Sequence, residues 1–176
     1  MYGPHGASFA PVAGRDALDF VEPYARNALA ILKSGQQHGW FMFFFRESRV
    51  VHTEILMARD KADKYVLAQQ VAEIAARVGA DGVVEMGEMW IHRALKDSDG
   101  LLVGYDHSVK PEEALGVYGE TVDGRGKGII IRFDRTFYGA VTIHGMEPWE
   151  GMSNFLAPLR AVWRGQIGAS GADERS

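Results

Sequence analysis

The run Trp40-Phe41-Met42-Phe43-Phe44-Phe45, followed after a short break by Arg49-Val50-Val51-His52-Thr53-Glu54-Ile55-Leu56-Met57, constrains this chain more than any other stretch. Its apolar run is strand-length, and the second segment is rich in β-branched residues, so the two read as paired strands, about 40–46 and 49–58. The connection through Glu47 and Ser48 contains neither Gly nor Asn, which favours a four-residue loop around a type I turn over a tight primed turn. In that register Phe45 opposes Val50, Phe43 opposes His52 and Phe41 opposes Glu54 on one face. Trp40, Met42, Phe44, Val51, Thr53, Ile55 and Met57 occupy the other. Both faces are heavily apolar. A hairpin of this kind must be covered on both sides, by helices or by another subunit.

The rest of the chain supplies some of that cover. Leu18, Val21, Ala25, Ala28 and Leu32 follow helical spacing within 16–34, with Asp16 as N-cap and Gly35 as the residue after the end. Pro23 interrupts this pattern, so the helix either bends or begins near Glu22 with Pro23 in its first turn. A second helix is expected over 61–78, capped by Asp60 and ended by Gly79. Strands follow at 83–94, 114–122, 128–135 and 138–144, with a polar linker over 96–111 and a last helix over 151–164. Leu101, Leu102 and Val103 suggest a short strand inside the linker. The order α-β-β-α-β-β-β-β-α, with most strands joined by hairpins, predicts a single α+β domain over 15–164 with a mainly antiparallel sheet and two or three helices. Residues 1–14 and 165–176 are small, polar or Gly/Pro-rich and are expected to be flexible tails.

Composition narrows the chemistry. The 176 residues contain no cysteine, which excludes disulfides, a thiolate nucleophile and Cys-ligated metals. The formal charge is −4 with a pI near 5.9, a poor footprint for sequence-independent binding to nucleic acid. The basic cluster that remains is Arg125, Lys127, Arg132 and Arg135, diluted by Asp123 and Asp134; such charges more often protect a sheet edge. The N-terminus lacks the basic and apolar regions of a secretory signal, and no segment has the length of a membrane helix, so a cytoplasmic, bacterial-type protein without a membrane partner is expected.

Two strand-spaced polar sets carry the best chemical potential. His52 and Glu54 alternate onto one face of the second strand, and Glu88 and His92 share a face of the third. Two imidazoles and two carboxylates can hold zinc, manganese or iron, or supply a general acid and base through Glu54 and Glu88, if the strands bring them together. Each set has an equally simple structural explanation as a packed histidine or an ion pair. No cofactor is otherwise implied. Asp97-Ser98-Asp99-Gly100 resembles the start of a calcium loop but lacks the downstream glutamate. Gly124-Arg125-Gly126-Lys127-Gly128 leads into a strand, not a helix, and so reads as a turn instead of a phosphate cradle. No serine lies in a nucleophile elbow.

The leading expectation is a non-enzymatic binding or assembly protein that forms a homo-oligomer through apolar sheet surface. A small metal-assisted hydrolase using His52, Glu54, Glu88 and His92 is the alternative. A nucleic-acid-associated accessory protein of phage or defence type, using Arg125, Lys127, Arg132 and Arg135, is the third reading.

Overall fold

A computed structural model describes residues 16–149 and 151–173, with side chains except those of 102 and 166–173. The expected N-terminal tail, 1–14, lies outside the described residues. Asp16 accepts a hydrogen bond from the Leu18 amide at 2.9 Å and so starts a 3-10 turn, Ala17–Phe20. Helix α1 follows at Val21–Lys33. Pro23 sits in its first turn, where no intrahelical donor is needed. Strands β1 (Trp40–Arg46) and β2 (Arg49–Leu56) form the aromatic hairpin. Helix α2 spans Lys61–Val78, with the Asp60 carboxylate accepting from the Asp63 amide at 2.9 Å and Gly79 in the left-handed region at φ 64°.

Strand β3 (Gly82–Ile91) leads into a two-stranded extension, β4 (Ala94–Lys96) and β5 (Leu102–Tyr105), before β6 (Glu112–Thr121) returns beside β3. Strands β7 (Gly126–Arg135) and β8 (Val141–Pro148) complete the sheet. Helix α3 runs over Ala157–Asp173. It starts later than the sequence suggested, and its backbone is helical through most of the expected C-terminal tail.

The main sheet has the order β2-β1-β3-β6-β7-β8, every neighbour antiparallel. The α+β expectation with a mainly antiparallel sheet and three helices is what forms. Phe20, Val21, Tyr24, Ala25 and Leu32 of the first helical segment cover one face over Phe45, Val84, Leu115, Val117, Ile131 and Phe133. Helices α2 and α3 cover the other, placing Val71, Ala75, Leu159 and Trp163 on Met42, Phe44, Val83 and Tyr118. The chain's own helices thus bury Phe44 and Phe45 completely. Much of the apolar excess that pointed to a second subunit is met within one chain, while Val50, Ile55 and Met57 at the β2 edge stay exposed.

Two expectations about the hairpin are corrected. Arg46 pairs with Arg49, so Glu47 and Ser48 form a two-residue primed turn, and both have positive φ, 49° and 66°. The pairing is Phe45 with Val50 but Phe44 with His52, leaving Val51 as an extra bulged residue. From that bulge onward each β2 side chain changes face relative to the expected register. His52 and Glu54 therefore lie on the α2 side, beside Phe44 and Met42, and Ile55 turns outward.

Candidate functional site

The register separates the two polar sets. Phe44 pairs with both His52 and Val83, so His52 shares the α2 face with Val83. Glu88 is five positions farther along β3 and points to the α1 face. The sets thus stand on opposite sides of the sheet with β1 between their strands. His52 donates from Nε2 to the Glu54 carboxylate at 3.0 Å, a local pair packed against the Phe44 ring at 5.5 Å between centroids. His92 lies just beyond β3, near the rings of Tyr105 and His107. Among the described residues no three His, Asp or Glu side chains are placed to hold a metal ion. The expected four-residue centre does not assemble, because the strand order and the bulge put the two sets on opposite faces, and neither feature leaves a local mark on the sequence.

The basic candidates are also dispersed. Arg125 binds Asp16 at 2.8 Å and Asp123 at 2.7 Å, at the β6–β7 turn. Arg132 is held between Glu112 and Glu147 on the α2 side of the sheet. Lys127 and Arg135 sit on the α1 side, Lys127 at the opposite end of β7 from Arg135. Three of the four are neutralised by carboxylates, so they form no continuous positive surface.

Instead, Glu88 and Arg135, taken from two different expectations, meet in one ion pair. Arg135 donates from both terminal nitrogens to Glu88, at 3.1 and 2.8 Å, and the His38 amide donates to the same carboxylate at 2.9 Å. Burial alone would raise the Glu88 carboxyl. The Arg135 and His38 hydrogen bonds and their positive charge outweigh it, holding the group below the usual carboxylate range. The Arg135 guanidinium lies 5.2 Å from the Phe133 ring centroid, and its buried Nε has no hydrogen-bond partner among the described residues.

This pair forms the base of a cleft of about 430 Å³ on the α1 side, whose walls include Trp90, Glu113 and Phe137. Trp90 is 55% exposed and Phe137 98% exposed. Phe137 and Tyr138 form the tip of the β7–β8 turn, their rings 5.6 Å apart and edge-on. Sequence reading missed this tip, although two aromatic residues where turns favour Gly, Asn or Asp are themselves a signal.

The β4–β5 extension rises from the same end of the sheet, since the end of β3, the start of β6 and the β7–β8 turn are neighbours in the register. The expected linker is therefore an arm over residues 92–111. Its tip is a turn in which the Asp97 carboxylate accepts from the Asp99 and Leu101 amides, at 3.0 and 2.9 Å. The calcium-like stretch is that turn. Leu95, Leu101, Val103, Tyr105 and Val109 are all exposed on the arm. The opposite end of the sheet carries Arg46, Glu47, Arg49, Asp81, Asp123 and Arg125. Both ends carry charged side chains, and the arm end also presents these exposed apolar and aromatic ones.

No helix among the described residues is long and apolar enough to cross a membrane. No curated protein and no solved structure matches the chain. A family description, bacteriophage lambda protein ea47, matches residues 1–175, and with nearly its whole length covered the chain belongs to that phage protein family.

Proposed function

We propose that the chain is a non-enzymatic assembly protein of this phage family that associates with a second copy of itself through the arm. The observation carrying this reading is the exposure of Leu95, Leu101, Val103, Tyr105 and Val109 on and beside a two-stranded extension separate from the six-stranded sheet. An isolated hairpin is marginal in water and gains stability from a further strand or an apolar cover. Its two outer edges present unpaired backbone groups, and a second copy offers the same edge in a closed two-fold contact.

Charge supports the same partner. The root of the arm holds Arg93, Asp106 and Lys110, a net positive set, while the tip holds Lys96, Asp97 and Asp99, a net negative one. Antiparallel pairing sets root against tip and so joins opposite signs. This differs from the sequence expectation in its surface. The chain's own helices cover both sheet faces over the central strands, and in this reading the arm supplies the apolar contact.

The test is sedimentation velocity on the full chain at tens of micromolar, beside a Leu101→Asp, Val103→Asp double variant. A wild-type dimer and a monomeric variant with an unchanged circular dichroism spectrum are expected. A monomeric wild type, or a variant that still dimerises, overturns the reading.

A further inference from the structure

The cleft beside the arm has a charge and surface that fit one kind of occupant. We infer that it receives a lysine or arginine side chain from a basic segment of a partner protein. Three charged groups line it: the carboxylates of Glu88 and Glu113 and the guanidinium of Arg135. Glu88 is spent on Arg135 and the His38 amide. Both terminal nitrogens of Arg135 are spent in turn on Glu88. Glu113 is half-buried and has no hydrogen-bond partner among the described residues. Its carboxylate lines the cleft within reach of the Arg135 charge and is an acceptor with no hydrogen bond made to it.

Trp90, the cross-strand partner of Glu113, and Phe137 line the same cleft, and both are exposed and belong to neither core. An open carboxylate next to exposed aromatic faces suits a cation, which gains a charge-assisted hydrogen bond from the one and ring attraction from the others. An anion would meet a net negative cleft in which both terminal nitrogens of the one guanidinium already hold Glu88, leaving only its buried Nε. A neutral apolar group would strip water from Glu113 without replacing its hydrogen bonds. The volume, about 430 Å³, lies in the range that takes a long side chain with part of its backbone. None of this depends on the arm pairing with a second copy.

The test follows the four tryptophan indole signals of the 15N-labelled full chain by nuclear magnetic resonance, with the Trp90 signal identified from Trp90→Phe. The probe is a capped tetra-arginine peptide, with capped tetra-glutamate as its opposite. The Trp90 indole is expected to move saturably with tetra-arginine and to ignore tetra-glutamate. Glu113→Gln is expected to weaken that binding at least fivefold, whereas Glu73→Gln, on the exposed side of α2, leaves it unchanged. An immobile Trp90 signal, an equal response to both peptides, or full affinity in Glu113→Gln overturns the inference. If Arg93→Gln or Lys96→Gln shifts Trp90 with no peptide present, the occupant is the arm of a second copy, and the assignment to a partner protein falls. A monomeric wild type with a normal tetra-arginine response would overturn self-association and leave this site standing.

Discussion

Arg135 on β7 reaches past β6 to grip the Glu88 carboxylate on β3, joining strands that are not neighbours in the sheet. Both side chains are mostly buried, at 15% and 24% exposure. Removing the charge of one partner strands the other in a partly dry site, which costs more than the net worth of the pair. Glu88→Gln is expected to destabilise the fold by about 1–3 kcal/mol at neutral pH, measured by urea denaturation. Because the folded Glu88 carboxyl titrates below its ordinary value of 4.5, its contribution is present above that pH. It is lost as pH falls through the lower folded value. The difference between wild type and variant should shrink under acid conditions; a constant difference would show that shape rather than charge decides the effect.

Glu85 behaves in the opposite sense. Burial raises its carboxyl above 4.5, while hydrogen bonds from Ser153 and Trp40, at 2.8 and 3.0 Å, and the charge of Lys64 offset part of that shift. Below pH 4.5 both the folded and unfolded forms are protonated. As pH rises from there through the raised folded value, the unfolded chain ionises first and the fold loses stability. In Glu85→Gln the amide oxygen can still accept from Trp40 and the amide nitrogen can donate to the Ser153 hydroxyl. The variant is expected to be more stable than wild type at pH 7, by on the order of 1 kcal/mol, with the gain vanishing near pH 4. Melting curves across that range check it, and a less stable variant at pH 7 would show that the ionised carboxylate is favoured.

What the sequence made legible was local. Helix α2 matches its expected span because Asp60 and Gly79 fix its ends and its apolar face repeats at helical spacing. Pro23 likewise marked the start of α1 to within a turn. The bulge at Val51 was not legible, since an extra residue in a β-branched run leaves the alternation looking intact. That single slip moved His52 and Glu54 to the other face. Strand order was equally hidden: nothing near Glu88 signals an arginine 47 positions later, yet β6 brings them together. The cleft escaped for the same reason, because Trp90 and Phe137 become neighbours only once β3 and β7 are placed.

Gly128 leaves room for an aromatic contact that anchors the end of β8. A Cβ there would lie 2.6 Å from the Trp149 Cβ and 2.8 Å from the Tyr118 ring. Those rings pack at 5.2 Å between centroids, and the Trp149 amide donates to the Gly128 carbonyl at 2.9 Å. Neither ring can retreat without opening the α2-side core. Gly128→Ala is expected to cost about 1–3 kcal/mol, read from urea denaturation, while alanine at the open Gly145 should cost much less. Equal effects at the two positions would locate the cost in strand propensity and not in the contact.

The β1–β2 turn stores strain that a substitution can release. Glu47 and Ser48 both occupy the left-handed region, where a Cβ is unfavourable and glycine is not. The Asp81 carboxylate helps hold them there by accepting from the Glu47 amide at 2.8 Å. Ser48→Gly removes the steric penalty while giving the unfolded chain more freedom, so a net gain of about 0.5–1 kcal/mol is expected. Ser48→Val should lose at least as much, since a β-branched side chain tolerates positive φ worst. Asp81→Ala should destabilise the wild-type turn more than the Ser48→Gly turn, because glycine needs less help to stay in place. Denaturation of the three single variants and the Asp81→Ala, Ser48→Gly double variant measures that coupling. Additive effects would mean that Asp81 acts on the hairpin through something other than the turn conformation.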